Sequence, residues 1–242
     1  MQHIIIDNRV CNLFIKGEKG PVFLHINEPS IPVGALQITE ALEQIDNSYE
    51  YIFVEILIND WDKNLSPWSV KTNNRVFDGN APLTLNWLLN NVIPYLKNNF
   101  TGHEEFYLAG YSLSGLFALW SLYNTDIFNG IICCSGSLWF PKWDEFMQNN
   151  HLRKNSMVYL SLGGKEEKTK NPLMASVGIN TRKQLSLLKN DILLKSATLE
   201  MNPGGHFADT AFRVAKGIRW ILKEKEFCLL SKKQKNNKIK EQ

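Results

Sequence analysis

Along this chain, apolar runs of strand length alternate with longer segments whose apolar residues recur at helical period. "PVFLHIN" precedes "GALQITEALEQI", "YIFVEILI" precedes "LTLNWLLNNVIPYLKNNF", and "EEFYLAG" precedes "LSGLFALWSLY". Further on, "NGIICCSG" precedes a short polar helix near "KWDEFMQNN", and "SMVYLSLGG" precedes "MASVGINTRKQLSLLKN". Last, "SATLEMNPGG" leads into "FADTAFRVAKGIRWILKEK". Strand then helix, repeated, predicts an α/β fold: a mainly parallel sheet with helices on both faces. The opening runs "QHIIID" and "NLFIKG" leave no room for a helix between them, which predicts an antiparallel hairpin at one edge of the sheet. Residues 59–81 read as a long irregular loop holding Trp61, Pro67 and Trp68, of the kind that borders a site in a compact α/β domain.

Composition narrows the class. With 242 residues and an apolar fraction of 44%, the chain can bury a substantial core. Residues 1–226 read as a single domain and residues 227–242 as a lysine-rich tail that frays. From Lys223 onward there are seven lysines against three glutamates, an excess of four, while the whole chain carries +3, so the folded part is close to neutral. No stripe of Lys and Arg interleaved with aromatics runs through the body, which argues against a nucleic-acid partner. No run approaches the roughly 18 to 20 apolar residues of a membrane span, and the start "MQHIIIDNRVCNLFIKG" lacks the unbroken apolar core of a signal peptide. The expectation is a soluble, cytoplasmic protein with no membrane partner. Cys11, Cys133, Cys134 and Cys228 show neither CxxC pairing nor a His at zinc-ligand spacing, so neither a metal site nor a disulfide framework is expected.

Chemistry enters with "LAGYSLSGLFAL", which passes directly from a predicted strand into a predicted helix. A nucleophile turned sharply out of a strand sits in a strained backbone conformation, so its flanking positions must carry almost no side chain. Gly110, two before Ser112, and Gly115, three after it, meet that need. The position two after Ser112 is usually Gly in such elbows and is Ser114 here. The geometry frees the serine hydroxyl and aims the backbone N–H of Leu113, at the helix N-terminus, toward a developing oxyanion.

A serine hydroxyl needs a base within hydrogen-bond reach, and the base needs an orienting acid. Of the five histidines, His3 falls in the edge hairpin, His103 at the wrong end of the elbow strand, and His151 in a polar connection. His25, near the end of "PVFLHIN", is a weaker candidate than His206, which follows the last predicted strand and two glycines and precedes a helix. The chain order serine, acid, histidine then asks for an acid after "VYLSLGG", where "KEEKTK" offers Glu166, with Glu167 as the alternative. Asp209 is too close in sequence to His206 to be preferred. Trp61, Trp68 and Trp139, together with Phe140 and Trp143, fall in loops expected at the same end of the sheet, where they can form a substrate pocket for a bulky or aromatic group or pack beneath a loop.

Taken as a set, "AGYSLSGLFALW", "CSGSLWFP", "LSLGGKEEKTKNP" and "PGGHF" resemble the putative esterase family of α/β-hydrolases, which includes esterase D and the ferric-enterobactin esterases. The loop "NDWDKNLSPW" is similar to one that borders the site in some bacterial members. The resemblance runs from about residue 21 to residue 222. It implies the α/β-hydrolase fold and serine hydrolysis of a carboxylic ester or thioester through an acyl-enzyme, with Ser112 as nucleophile, His206 as base and no cofactor. It also implies a second oxyanion N–H from the loop after an earlier strand, which leaves Asn27, Glu28, Asp60 and Trp61 open. Two other readings keep the same residues: an acyltransferase using the same Ser–His site, and a catalytically silent binding protein that retains the fold.

Overall fold

The computed structural model describes residues 1–72 and 75–240, with side chains described as far as Ser231. The strands predicted from apolar runs form one eight-stranded sheet in the order β1-β2-β4-β3-β7-β8-β9-β10. They are β1 (Gln2–Ile6), β2 (Arg9–Lys16), β3 (Val22–Asn27), β4 (Tyr51–Leu57), β7 (Phe106–Tyr111), β8 (Phe128–Cys134), β9 (Ser156–Gly163) and β10 (Leu194–Asn202). β1 and β2 form the expected antiparallel edge hairpin, and β4 through β10 in that order run parallel.

Both faces of the sheet are covered, which is why the central strands read as unbroken apolar runs rather than alternating ones. Alternate residues still sort by face. Val22, Leu24, Ile26, Phe106 and Leu108 pack with α5 (Leu113–Leu122) and its neighbours, whereas Phe23, Phe53, Tyr107 and Ala109 pack with α1 (Ala35–Ile45) and α9 (Thr210–Lys240). Cys133 and Cys134 lie buried in β8. Further helices are α6 (Trp143–Asn149), the short α7 (Pro172–Ala175) and α8 (Val177–Lys189).

Two segments depart from the sequence reading. Residues 59–81 are not a bare loop: they hold helix α2 (Trp61–Leu65) and a small hairpin of β5 (Ser69–Lys71) and β6 (Val76–Asp78). Period counting cannot find strands of three residues. The helix that follows is built in three parts, α3 (Ala81–Trp87), a π-helical turn (Leu88–Val92) and α4 (Ile93–Asn99). The widened turn comes just ahead of Pro94, whose missing N–H and bulky ring cannot enter a regular α-helical ladder. The backbone of α9 continues as helix to Lys240. The fraying expected of the tail falls mostly on residues 232–242, which lie outside those described in side-chain detail. Among the described residues no helix is long and apolar enough to cross a membrane.

Gly217 sets how closely α9 can lie on the sheet. A Cβ added there would stand 2.5 Å from Ile132 Cγ2 and 2.8 Å from Tyr159 Cδ1. Gly217→Ala gains up to about 1 kcal/mol of helix propensity but overpacks this contact, at a cost of about 1–3 kcal/mol. The net effect expected is destabilisation, read as a lower urea midpoint with unchanged slope.

Candidate active site

The carboxyl ends of the parallel strands gather at one rim of the sheet, where ligands bind in folds of this kind. The elbow stands at the centre of that rim. Ser112 leaves β7 with φ 59° and ψ −120°, the one strained residue between the strand and α5. Gly110 permits the turn: a Cβ there would meet the carbonyl carbon and oxygen of Ser114 at 2.2 Å. Ser114 is accommodated because its hydroxyl accepts from the Tyr111 N–H (2.8 Å) and donates to the Tyr111 carbonyl (2.9 Å). The strain is held by backbone bonds on both sides. The Ser112 N–H donates to the Cys134 carbonyl (3.0 Å), and the Ser137 N–H to the Ser112 carbonyl (3.0 Å).

The structure brings Ser112, His206 and Glu166 together from three separate strand ends. His206 Nε2 lies 3.0 Å from Ser112 Oγ, and its Nδ1 lies 2.7 Å from Glu166 Oε2. With the Nδ1 proton on the Glu166 side, Nε2 is left as an acceptor for the serine proton, an arrangement able to generate a nucleophile. Glu167 does not take part. It turns away to Arg182, 2.5 Å from Nη2, because adjacent residues in the short turn Glu166–Lys168 point apart. His25 is not at the relay either: it is buried beneath it, against Phe53, and burial pushes its pKa well below the ordinary value despite the pull of Glu55.

Sequence reasoning missed the group that orders these parts. Arg213, fully buried near the start of α9, donates through Nη1 to Tyr111 Oη (3.0 Å), Ser135 Oγ (2.8 Å) and Glu166 Oε1 (3.3 Å). Through Nη2 it donates to the carbonyls of Pro203 (3.2 Å) and Gly205 (3.0 Å), in the loop that carries His206. The Tyr111 hydroxyl in turn donates to the His206 carbonyl. Burial pushes that phenol up to about 12, so it keeps its proton at neutral pH. The signal was present, though faint: a lone arginine set among the apolar residues of "FADTAFRVAKGI".

For the Glu166 carboxyl, burial favours the protonated form. Hydrogen bonds from His206, from the Ser135 hydroxyl and from the Gly163 N–H outweigh that, and its pKa lies below the ordinary value.

A cavity of about 690 Å³ opens in front of Ser112. Trp61 and Trp139 line it, as do Asn27 and Glu28. Trp68 does not. Its indole N–H donates to the Pro141 carbonyl (2.9 Å) and its ring packs among Phe140, Trp143 and Phe146, so it supports the loop instead of facing a substrate. Trp143 and Phe140 beside it are buried. Asp60 is a surface residue near Lys63.

The profile of the family described as "Putative esterase" matches residues 33–207. The chain belongs to this family. Its reaction class is therefore the hydrolysis of carboxylic esters. No curated protein is significantly similar in sequence. Among solved structures, a siderophore hydrolase, EstB, from Aspergillus nidulans is 18% identical, with a TM-score of 0.69 over 89% of this chain and 92% of that one. An IroE-like serine hydrolase from Shewanella oneidensis is 16% identical, with a TM-score of 0.75 over 89% of this chain and 76% of the other. The enterobactin esterase FES from Shigella flexneri is 17% identical, with a TM-score of 0.63 over 89% of this chain and 57% of that one. At such identities the likeness is one of fold, and the fold is that of the α/β-hydrolases.

The lowered Glu166 pKa has a signed consequence for this esterase. A depressed carboxyl contributes stability that is fully present above its unfolded value, 4.5, and is lost as pH falls through the lower folded value. Glu166→Gln removes that contribution and leaves Arg213 buried without its carboxylate. The variant should be less stable than the parent at neutral pH, and its urea midpoint should fall less steeply than the parent's as pH drops below about 4.5.

Proposed function

We propose that the protein hydrolyses its ester through an acyl-enzyme on Ser112. Ser112 Oγ attacks the acyl carbonyl as His206 Nε2 takes the hydroxyl proton, while Glu166 holds Nδ1–H and stabilises the imidazolium that forms. Collapse of the tetrahedral intermediate breaks the bond to the leaving oxygen or sulfur, which takes the proton from His206. Water then attacks the acyl-enzyme, giving its proton to His206, and Ser112 is released with the acid product. The observation that carries this reading is the double engagement of His206, 3.0 Å from Ser112 Oγ on one side and 2.7 Å from Glu166 Oε2 on the other.

The oxyanion of each intermediate would be met by two backbone N–H groups, that of Leu113 and, from the other side, that of Glu28. Register favours Glu28 among the four candidates. Ile26 pairs with Gly110 across β3 and β7, so two residues on Glu28 is level with Ser112. Asp60 and Trp61 follow β4, one strand further out and roughly 10 Å from β7 by strand spacing. Asn27 is still within the β3–β4 ladder, opposite Leu57, and one residue short of the Ser112 level.

The cavity supports an ester with a bulky apolar or aromatic part. Trp61, Phe77 and Trp139 line it, and Phe207, 88% exposed, sits at its mouth beside His206. The named siderophore and enterobactin hydrolases of similar fold make large siderophore esters one class to assay first.

A fluorophosphonate probe with peptide mapping tests the nucleophile. Label is expected on Ser112 and lost in Ser112→Ala, with kcat down by about 10⁴-fold or more; hydrolysis surviving in that variant would refute the mechanism. For the pocket, Trp139→Ala should lower kcat/KM about tenfold on esters with a bulky acyl or alcohol part, and leave an acetyl ester within about threefold. Equal losses on both would remove Trp139 from substrate contact.

A further inference from the structure

Glu55 is a charged-type side chain placed where the mechanism above has no use for it. It lies in β4, 3% exposed, and no lysine or arginine is among its partners in the described residues. Its carboxylate is satisfied by neutral donors alone. Oε2 accepts from Asn12 Nδ2 (2.7 Å); Oε1 accepts from Asn27 Nδ2 (2.8 Å) and from the Ala35 N–H (3.1 Å). Holding a carboxylate in the interior without a countercharge forfeits its hydration, and an apolar residue would fill the place at no such cost. The position therefore calls for a reason beyond packing.

Its two Oε1 partners supply one. Asn27 ends β3 and Ala35 begins α1, so they are the two ends of the loop that contains Glu28. A single oxygen holds both. The second Asn27 amide hydrogen goes to the Val33 carbonyl (3.0 Å), within the same loop, and the Ile31 N–H closes a turn on the Glu28 carbonyl (3.0 Å). The start of α1 is pressed against the carboxylate: a Cβ on Gly34 would lie 2.7 Å from Glu55 Oε1. Seven residues whose tip faces the cavity are thus fixed at both ends from beneath, on the side of the elbow opposite Arg213.

We propose that Glu55 is a positioning residue for the oxyanion site: by clamping Asn27 to Ala35 it holds the Glu28 N–H level with Ser112. The inference rests on the reading of Ser112 as nucleophile with Glu28 as an oxyanion donor. Glu55 touches neither substrate nor reacting atoms, so its effect belongs in the chemical step and not in binding.

Three variants test it, each first checked for a native near-ultraviolet circular dichroism spectrum. Glu55→Leu removes the acceptor at similar volume. Its kcat is expected to fall about tenfold or more, part of the 10²- to 10³-fold that one oxyanion donor typically supplies, with KM within about threefold. Labelling of Ser112 by the fluorophosphonate should slow in parallel, because the phosphonyl oxygen occupies the same hole. Glu55→Gln keeps an oxygen for Asn27 and Ala35, and should restore kcat and labelling to within about threefold of the parent. Should Glu55→Leu not fold, Asn27→Ala removes one arm of the clamp and is expected to lower kcat in the same direction. A folded Glu55→Leu or Asn27→Ala protein with parental kcat would overturn the proposal. So would equal losses in the Leu and Gln variants, or a loss confined to KM. Parental protein that takes no label on Ser112 would instead overturn the serine-nucleophile reading, and this proposal with it.

Discussion

The pairing of Arg213 with Glu166 in the interior is the constraint on which the site depends. A guanidinium with no exposed surface is tolerated only when it is paired and most of its donors are used; here both Nη atoms are bonded and Nε is not. Arg213 spends Nη1 and Nη2 on the ends of β7 and β8, on the turn after β9, and on the loop after β10. Each of those four segments brings a component of the relay or lies against one. Removing the arginine would leave a carboxylate, two hydroxyls and two carbonyls to find other partners in a buried space, so the loops and the charge are fixed together. The planar fork of the guanidinium suits this role, since its donors diverge in fixed directions.

Sheet order does the rest. β7 occupies the middle of the sheet, with β3 and β4 to one side and β8, β9 and β10 to the other. The elbow can then be approached from both flanks: His206 and Glu166 arrive from the β9–β10 side, the β3–α1 loop from the β3 side. The strain at Ser112 is sustained by this enclosure. Its N–H is tied to β8 and its carbonyl to the Ser137 N–H, so relaxing the backbone of one residue would break contacts with two others.

Much of this was legible in the amino-acid order. Strands buried on both faces leave continuous apolar runs, and an elbow leaves glycines at fixed offsets, so the sheet, the hairpin edge, Ser112 and His206 all had local signatures. The choice between Glu166 and Glu167 had none, because adjacent acids look alike until the Glu166–Lys168 turn sends one inward to His206 and the other outward to Arg182. Arg213 and Glu55 were hidden for a related reason. Their roles come from partners about a hundred residues away at most, and a single charge inside an otherwise apolar segment carries no mark of which groups it will meet. Trp68 shows the converse error: loop aromatics at the right end of the sheet pack beneath a loop as readily as they face a ligand.

The two buried acids invite comparison, because they stand on opposite flanks of one serine and use the same device. Glu166 accepts from a backbone N–H, from a hydroxyl and from His206; Glu55 accepts from a backbone N–H and two side-chain amides. A carboxylate carries two acceptor oxygens, each with room for more than one donor, so it can join segments distant in the chain where the single acceptor oxygen of an amide or a hydroxyl would join fewer. The difference lies in the countercharge. Glu166 has Arg213 within 3.3 Å and faces the imidazole that the proposed mechanism makes cationic, whereas the bonds to Glu55 come from neutral groups. That asymmetry matches the chemistry proposed for each flank: in that mechanism positive charge develops and disappears on the His206 side, and on the β3 side a fixed dipole has only to stay where it is.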